Sequence, residues 1–330
     1  MTQSATWADA EAALKALTPC ELWTLRDIAR LPFIHVQALA QLGGLADKSS
    51  VARSVRELTA KGLVAHIQPG IGAGPIKLDY VTDLGLAALA FDWNVDVNDL
   101  AITLRTDKRS LDHLHLRARQ AHHTYRLLGA VAACGGDKPC LIAWEQPWRR
   151  AVRDIGPNPA GIVELPAHAV LSWPGTGTGS FLLLPDISAF PVRAYRPTLL
   201  QLMRLRESGE PHGSLLVIGT HERRRAAAID DLASEVREQL GMAPLPIVIA
   251  EWSDLMSRLP SAIAQCAEEA AEGPPKRKPI EPRNPVSVNR PVPPIVGSQE
   301  PTSSLSDLAP VDMETVSYTH LRAHETGRNL

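Results

Sequence analysis

The sequence predicts an α+β protein: an N-terminal helical module closed by a β-hairpin, an α/β domain with a mixed sheet, and a disordered proline-rich tail. Three observations carry this expectation. Amphipathic helical segments with clear start and stop residues recur between Leu17 and Phe91 of the module at 1–105. Short apolar strand segments alternate with helical patterns over 106–271, and prolines crowd the stretch 272–315.

The 330 residues are 45% apolar and 21% charged, and 34 basic against 36 acidic side chains leave a formal charge of −2. That balance excludes a wholesale polycation, so any contact with nucleic acid has to come from a local patch. No apolar run approaches the roughly 18–20 residues of a membrane-spanning helix, and Met1 to Asp9 has neither a basic start nor an apolar signal core. A cytoplasmic protein without membrane contact is expected. Cys20, Cys134, Cys140 and Cys266 form no C-x-x-C pair, the pattern of reduced structural thiols rather than of a zinc site.

In the N-terminal module, Thr18 caps and Pro19 opens a helix that places Leu22, Leu25, Ile28 and Ala29 on one face and stops at Pro32. Phe33 to Leu42 reads as a second short helix ended by Gly43-Gly44. Ser49 or Ser50 then caps a third helix, running to about Lys61, with Val51, Val55 and Leu58 inward and Lys48, Arg53 and Arg56 outward. After Gly62, Leu63 to Ile67 and Ile76 to Val81 flank a Gly/Pro-rich tip as a hairpin, and Thr82 opens a closing helix from Asp83 to Phe91.

This order is that of a winged helix-turn-helix, and RSVRELTAKGLV and LDYVTDLGLAAL resemble the recognition-helix end and wing exit of that family. Between positions 48 and 77, Lys48, Arg53, Arg56, Lys61 and Lys77 face only Glu57 in charge. A helix of this kind enters the major groove while the wing lies along phosphates or the minor groove. The expected contacts to double-stranded DNA are therefore Lys48, Ser49, Ser50, Arg53, Arg56, Lys61 and Lys77. A protein-docking role for the same module remains open on these residues alone.

Leu111 to Cys134 reads as one long helix, with Leu114, Leu116, Ala121, Tyr125, Leu128 and Val131 inward and its histidines and arginines polar. His115 and His122 lack a partner at chelating spacing, so packing, capping or phosphate contact is expected of them rather than metal. Strands are expected at Leu141 to Trp144, His168 to Trp173, Phe181 to Leu184, Leu215 to Ile218 and Ile247 to Ala250. Helices are expected at Tyr195 to Glu207 and Arg223 to Leu240. The Gly/Thr-rich run from Pro174 to Gly179 joins two strands and so reads as a hairpin turn, not a phosphate loop. His221-Glu222-Arg223-Arg224-Arg225 opens the last of these helices as a second basic cluster.

With Leu111-Asp112-His113 opening a helix and Trp144-Glu145 closing a strand, residues 15 to 250 resemble the replication-relaxation family of plasmids and integrated mobile elements. The resemblance implies a winged helix ahead of a restriction-endonuclease-like core, acting on mobile-element DNA in replication or relaxation. Such cores often carry acidic residues on adjacent strands that hold a divalent ion. Here Asp186 alone remains of that arrangement, with His168, Glu145 and Glu164 as the nearest further donors, so no metal or other cofactor is expected. A buried or turn-capping Asp186 is favoured over a catalytic one.

The leading expectation is a DNA-binding protein rather than an enzyme. The alternatives are a metal-dependent nuclease or nickase using Asp186, and a scaffold for replication or conjugation proteins. A homodimer is common among winged-helix proteins, but no heptad sets one here. The tail, from its basic start at Lys276-Arg277-Lys278, reads as a solvated linker. Residues 316–330 resemble the translation of a sequencing adapter, so the natural C-terminus is expected to be missing.

Overall fold

Two threonines open the first two helices by the same reciprocal bonding. In α1 (Trp7–Lys15) and α2 (Pro19–Arg30), the Thr6 and Thr18 hydroxyls accept from the N–H groups of Asp9 and Glu21, whose carboxylates accept in return from the threonine N–H groups. The computed structural model describes residues 6–42, 48–68, 76–152, 161–175, 177–187, 190–207, 214–240 and 246–271. The proline-rich tail, the adapter-like segment and the glycine-rich hairpin tip lie outside these.

Pro32 stops α2, and Phe33 takes a left-handed turn (φ 64°). The chain then runs extended through Ile34 before α3 (Val36–Leu42), so the second helix is shorter than its sequence pattern suggests. Phe33 N–H donates to the Asp79 carbonyl at 2.8 Å and Asp79 N–H to the Ile34 carbonyl at 2.9 Å. Ile34 is thereby a one-residue strand beside the antiparallel pair β1 (Val64–Ile67) and β2 (Leu78–Val81). Ahead of β1 in the chain, α4 (Lys48–Ala60) packs on α2 and α3. Ser49 and Ser50 fall inside α4 rather than at its cap, because the helix already includes Lys48.

Thr82 caps α5 (Asp83–Trp93) and Asp96 caps α6 (Val97–Leu104). The long helix expected after residue 111 is two helices, α7 (Lys108–Leu116) and α8 (Ala118–Cys134), parted at Arg117. The break re-aims the preceding residue: Leu116, expected in the core, is 85% exposed. Conversely His122 and His123, expected on the polar side, are buried.

The main sheet has the order β3 (Cys140–Glu145), β6 (Ala167–Trp173), β7 (Gly177–Leu183), β8 (Ser214–Thr220), β9 (Ile247–Glu251). The first three strands form an antiparallel meander, and β7, β8 and β9 run parallel. A separate hairpin, β4 (Trp148–Val152) with β5 (Gly161–Leu165), is inserted between β3 and β6. One sheet face buries Leu182, Leu184, Leu216 and Ile218 with Trp148, α9 (Arg196–Glu207) and α10 (Arg223–Leu240). The other buries Leu171, Phe181, Leu215 and Val217 with α8 and α11 (Leu255–Ala271). The fold is thus mixed α+β around a mixed sheet.

A single buried cluster runs from Leu25 and Ile28 of α2 through Tyr125 and Leu128 of α8 to Leu171 and Phe181 of the sheet. Tyr125 lies at its centre: its hydroxyl donates to the Pro32 carbonyl at 2.8 Å and sits 2.9 Å from Gln146 Oε1. The helical module and the sheet therefore share side chains across residue 105. Among the described residues, no helix is long and apolar enough to cross a membrane.

Candidate nucleic-acid interface and the strand-end cluster

In α4 the inward stripe is Val51, Ser54, Val55 and Leu58, all buried, and the Ser54 hydroxyl lies 3.3 Å from Cys20 Sγ of α2. This anchoring turns Lys48, Ser49, Arg53 and Arg56 to solvent, with Ser50 half-buried. The Arg56 Nε–H donates to the Ala52 carbonyl of its own helix, and neither Arg53 nor Arg56 makes an ion pair among the described residues. Lys77 is exposed at the foot of β2.

Lys61 is placed differently from the sequence expectation. Its ammonium donates to Glu21 Oε1 at 2.7 Å and to the Ala16 carbonyl at 3.0 Å, holding the end of α4 against α2. Glu21 is only 5% exposed. Burial raises its pKa, but the bonds from Lys61 and Thr18 outweigh this and leave it below the ordinary value. Lys61 is therefore committed inside the module rather than offered to a ligand.

Because β7, β8 and β9 are parallel, their C-terminal ends share one edge of the sheet, the edge where α/β folds gather functional side chains. Asp186 N–H donates to the Gly219 carbonyl and Trp252 N–H to the Thr220 carbonyl, extending the ladder past the strands. Asp186 is buried, and its carboxylate accepts from Arg225 Nε, from Arg225 Nη2 at 2.9 Å and from the Tyr195 hydroxyl at 2.8 Å. Burial and then the Asp186 bond raise the Tyr195 pKa, while Asp186 raises that of Arg225.

The other carboxylates weighed for a metal centre are held apart. Glu145 accepts two bonds from Arg150, at 3.1 and 3.0 Å, and Glu164 is bonded by Arg117 and Arg149 at 2.9 and 2.8 Å. His168 faces Glu145 across β3 and β6, but its Nε2 lies 2.8 Å from Ser180 Oγ, which lies 2.6 Å from Ser214 Oγ. Burial lowers the His168 pKa. Among the described residues, no group of three or more His, Cys, Asp or Glu side chains is placed to hold a metal ion.

A row of imidazoles emerges that no local sequence pattern announced. The ring centroids of His35 and His122 are 5.0 Å apart, those of His122 and His123 5.1 Å, and those of His123 and His221 5.1 Å. His123 also stacks on Trp252, over which Arg126 lies at 4.3 Å. The row passes from the entry to α3, across α8, to the end of β8. Burial, then neighbouring positive charge, lowers the pKa of His35 to about 3, of His122 to about 4 and of His123 to about 3. These rings are neutral packing groups. His35 Nδ1 accepts from Ala38 N–H at 3.1 Å, while its Nε2 and the Nδ1 atoms of His122 and His123 are buried without a partner among the described residues.

The spacing of Arg119, His122, His123 and Arg126 shows in sequence that they share a face of α8. That His35 and His221 complete the row is a tertiary fact. Compared with family models, curated proteins and solved structures, the chain has no match.

Proposed function

We propose that this protein binds double-stranded DNA through α4. The observation that supports the reading is the outward face of that helix: Lys48, Ser49, Arg53 and Arg56 are exposed together while Val51, Ser54, Val55 and Leu58 anchor the opposite face. The elements around it follow helix-turn-helix grammar. On this reading α3 and α4 are the helix pair, Ile34 with β1 and β2 is the small three-stranded edge, and Lys77 stands exposed just before β2. Arg53 and Arg56, three residues apart, project from one side of the helix and can reach base edges and phosphates in the major groove.

With the sequence resemblance added, the reading becomes a mobile-element protein that acts in replication or relaxation of DNA, or in regulating it. The α/β domain then serves as a backbone-contacting or partner-binding body. The nickase alternative has less to support it, since Asp186, Glu145 and Glu164 are each bonded to arginines of their own.

The test is binding of the full chain to labelled duplex DNA across a salt series, with an Arg53→Ala/Arg56→Ala variant alongside. Affinity that falls steeply with salt, and a variant whose log–log slope is shallower by about 2, is the expected result. An unchanged affinity in the variant removes α4 as the contact helix.

A further inference from the structure

Two cationic regions converge on the imidazole row. Lys48, the first residue of α4, and Arg126 of α8 both act electrostatically on His35 at one end. Arg119 and Arg126 both act on His221 at the other end, where α10 begins with the exposed Arg223 and Arg224. The row between them, in steps of 5.0, 5.1 and 5.1 Å, spans no more than the rise of about five base pairs, at ~3.4 Å each.

The cations at the far end are poorly compensated. Arg119 and Arg224 are exposed and make no ion pair among the described residues. Arg126 rests on the Trp252 ring, and Arg223 approaches Asp254 only to 3.7 Å with 82% of its side chain exposed. Of the acids in this region, Asp186 is taken by Arg225, Asp254 faces Arg223, Glu222 stands exposed beside His221, and Glu251 ends β9 opposite Thr220. Arg119, Arg126 and Arg224 are left against Glu222 and Glu251, an excess of one positive charge. Such an excess of positive charge on an open strand edge complements a polyanion.

We infer that the duplex held by α4 continues across the C-terminal ends of β8 and β9, where Arg119, Arg126 and Arg224 take backbone phosphates beyond the recognition helix. This rests on α4 being the DNA-contacting helix. The shared core and the imidazole row join the two cationic regions within one compact unit, so phosphate contacts at the strand ends set the direction in which DNA leaves α4. They add affinity without reading sequence.

The experiment compares the full chain with Arg119→Ala/Arg224→Ala, Arg119→Lys/Arg224→Lys and Arg53→Ala/Arg56→Ala on a duplex of about 30 base pairs, long enough for three helical turns. Affinity is measured over a salt series and folding checked by thermal melting. The expected result is that the Arg119→Ala/Arg224→Ala protein melts as the parent does but loses about 2 from the slope of log affinity against log salt, and that the lysine pair restores it. A parental slope in that variant, alongside a reduced slope in Arg53→Ala/Arg56→Ala, overturns the extended track and leaves α4 as the DNA helix. Weakened binding with an unchanged slope also overturns it, since lost phosphate contacts have to change the slope. A parent chain that does not bind duplex DNA at low salt overturns the reading of α4 and this inference with it.

Discussion

Arg225 grips the carboxylate of Asp186 with two nitrogens while the Tyr195 hydroxyl donates to the same oxygen as Arg225 Nη2. At 1% exposure, Asp186 has exchanged water entirely for these donors. Removing one partner of a buried pair strands the other, a loss of about 3–5 kcal/mol. Asp186→Ala is therefore expected to lower the melting temperature by roughly 10 °C or more, and Asp186→Asn by less because the amide oxygen still accepts. Incubation of both proteins and the parent with supercoiled plasmid and magnesium provides the opposing outcome. A parental nick abolished in a variant that melts normally makes Asp186 a reacting group rather than a structural one.

The imidazole row implies acid sensitivity with a definite sign. His35, His122 and His123 titrate near 3, 4 and 3 in the fold against 6.5 as free groups, so the unfolded chain takes up protons that the folded chain refuses. Their stabilising contribution is whole above pH 6.5 and declines as pH falls from there toward 4, by ~1.4 kcal/mol per pH unit for each ring. Denaturant unfolding between pH 7 and 4.5 is expected to show this slope, and His123→Phe to reduce it by one proton's worth. An unchanged slope in the variant places the titration elsewhere.

Much of this architecture is legible in local sequence, and the limits have physical causes. Thr18-Pro19, Gly62 and Thr82 mark ends that the backbone obeys, and α10 spans Arg223–Leu240 as its periodicity predicts. The Thr6/Asp9 box that opens α1 is equally local, but it stands ahead of any long apolar stripe. The break at Arg117 has no glycine or proline to announce it. β4 and β5 carry Arg149 and Glu164 on the outer face and Arg150 on the inner face beside Trp148, which masks them as strands. At the site, the outward residues of α4 follow from helical spacing, whereas the arginine that holds Asp186 and the glutamate that holds Lys61 lie 39 and 40 residues away in the chain. No window-based reading reaches that far.

Asp79 opposes the histidines. It is 2% exposed, one carboxylate oxygen has no partner among the described residues, and burial raises its pKa to about 7 despite Lys77. A carboxyl raised in the fold binds its proton more tightly there than in the unfolded chain, so its contribution weakens as pH climbs from about 4 to 7. Asp79→Asn is expected to stabilise the protein by about 1–3 kcal/mol at pH 8, with no gain at pH 4. Equal effects at both pH values rule out a titrating Asp79.

Lys61 separates local charge counting from tertiary placement most cleanly. Counted with Arg53 and Arg56 it belongs to a basic helix end; in the fold it neutralises the nearly buried Glu21 and closes α4 onto α2. Lys61→Ala leaves that carboxylate without its ammonium partner, at a cost of about 1–3 kcal/mol. The cost is expected to shrink as pH falls through the ordinary carboxylate range, because a protonated Glu21 no longer needs the charge. The same variant is expected to keep the parental salt slope for duplex binding, in contrast to Arg53→Ala/Arg56→Ala. Melting curves at pH 7 and 4 with one salt titration check both halves: a stable variant with a shallower slope returns Lys61 to the DNA face.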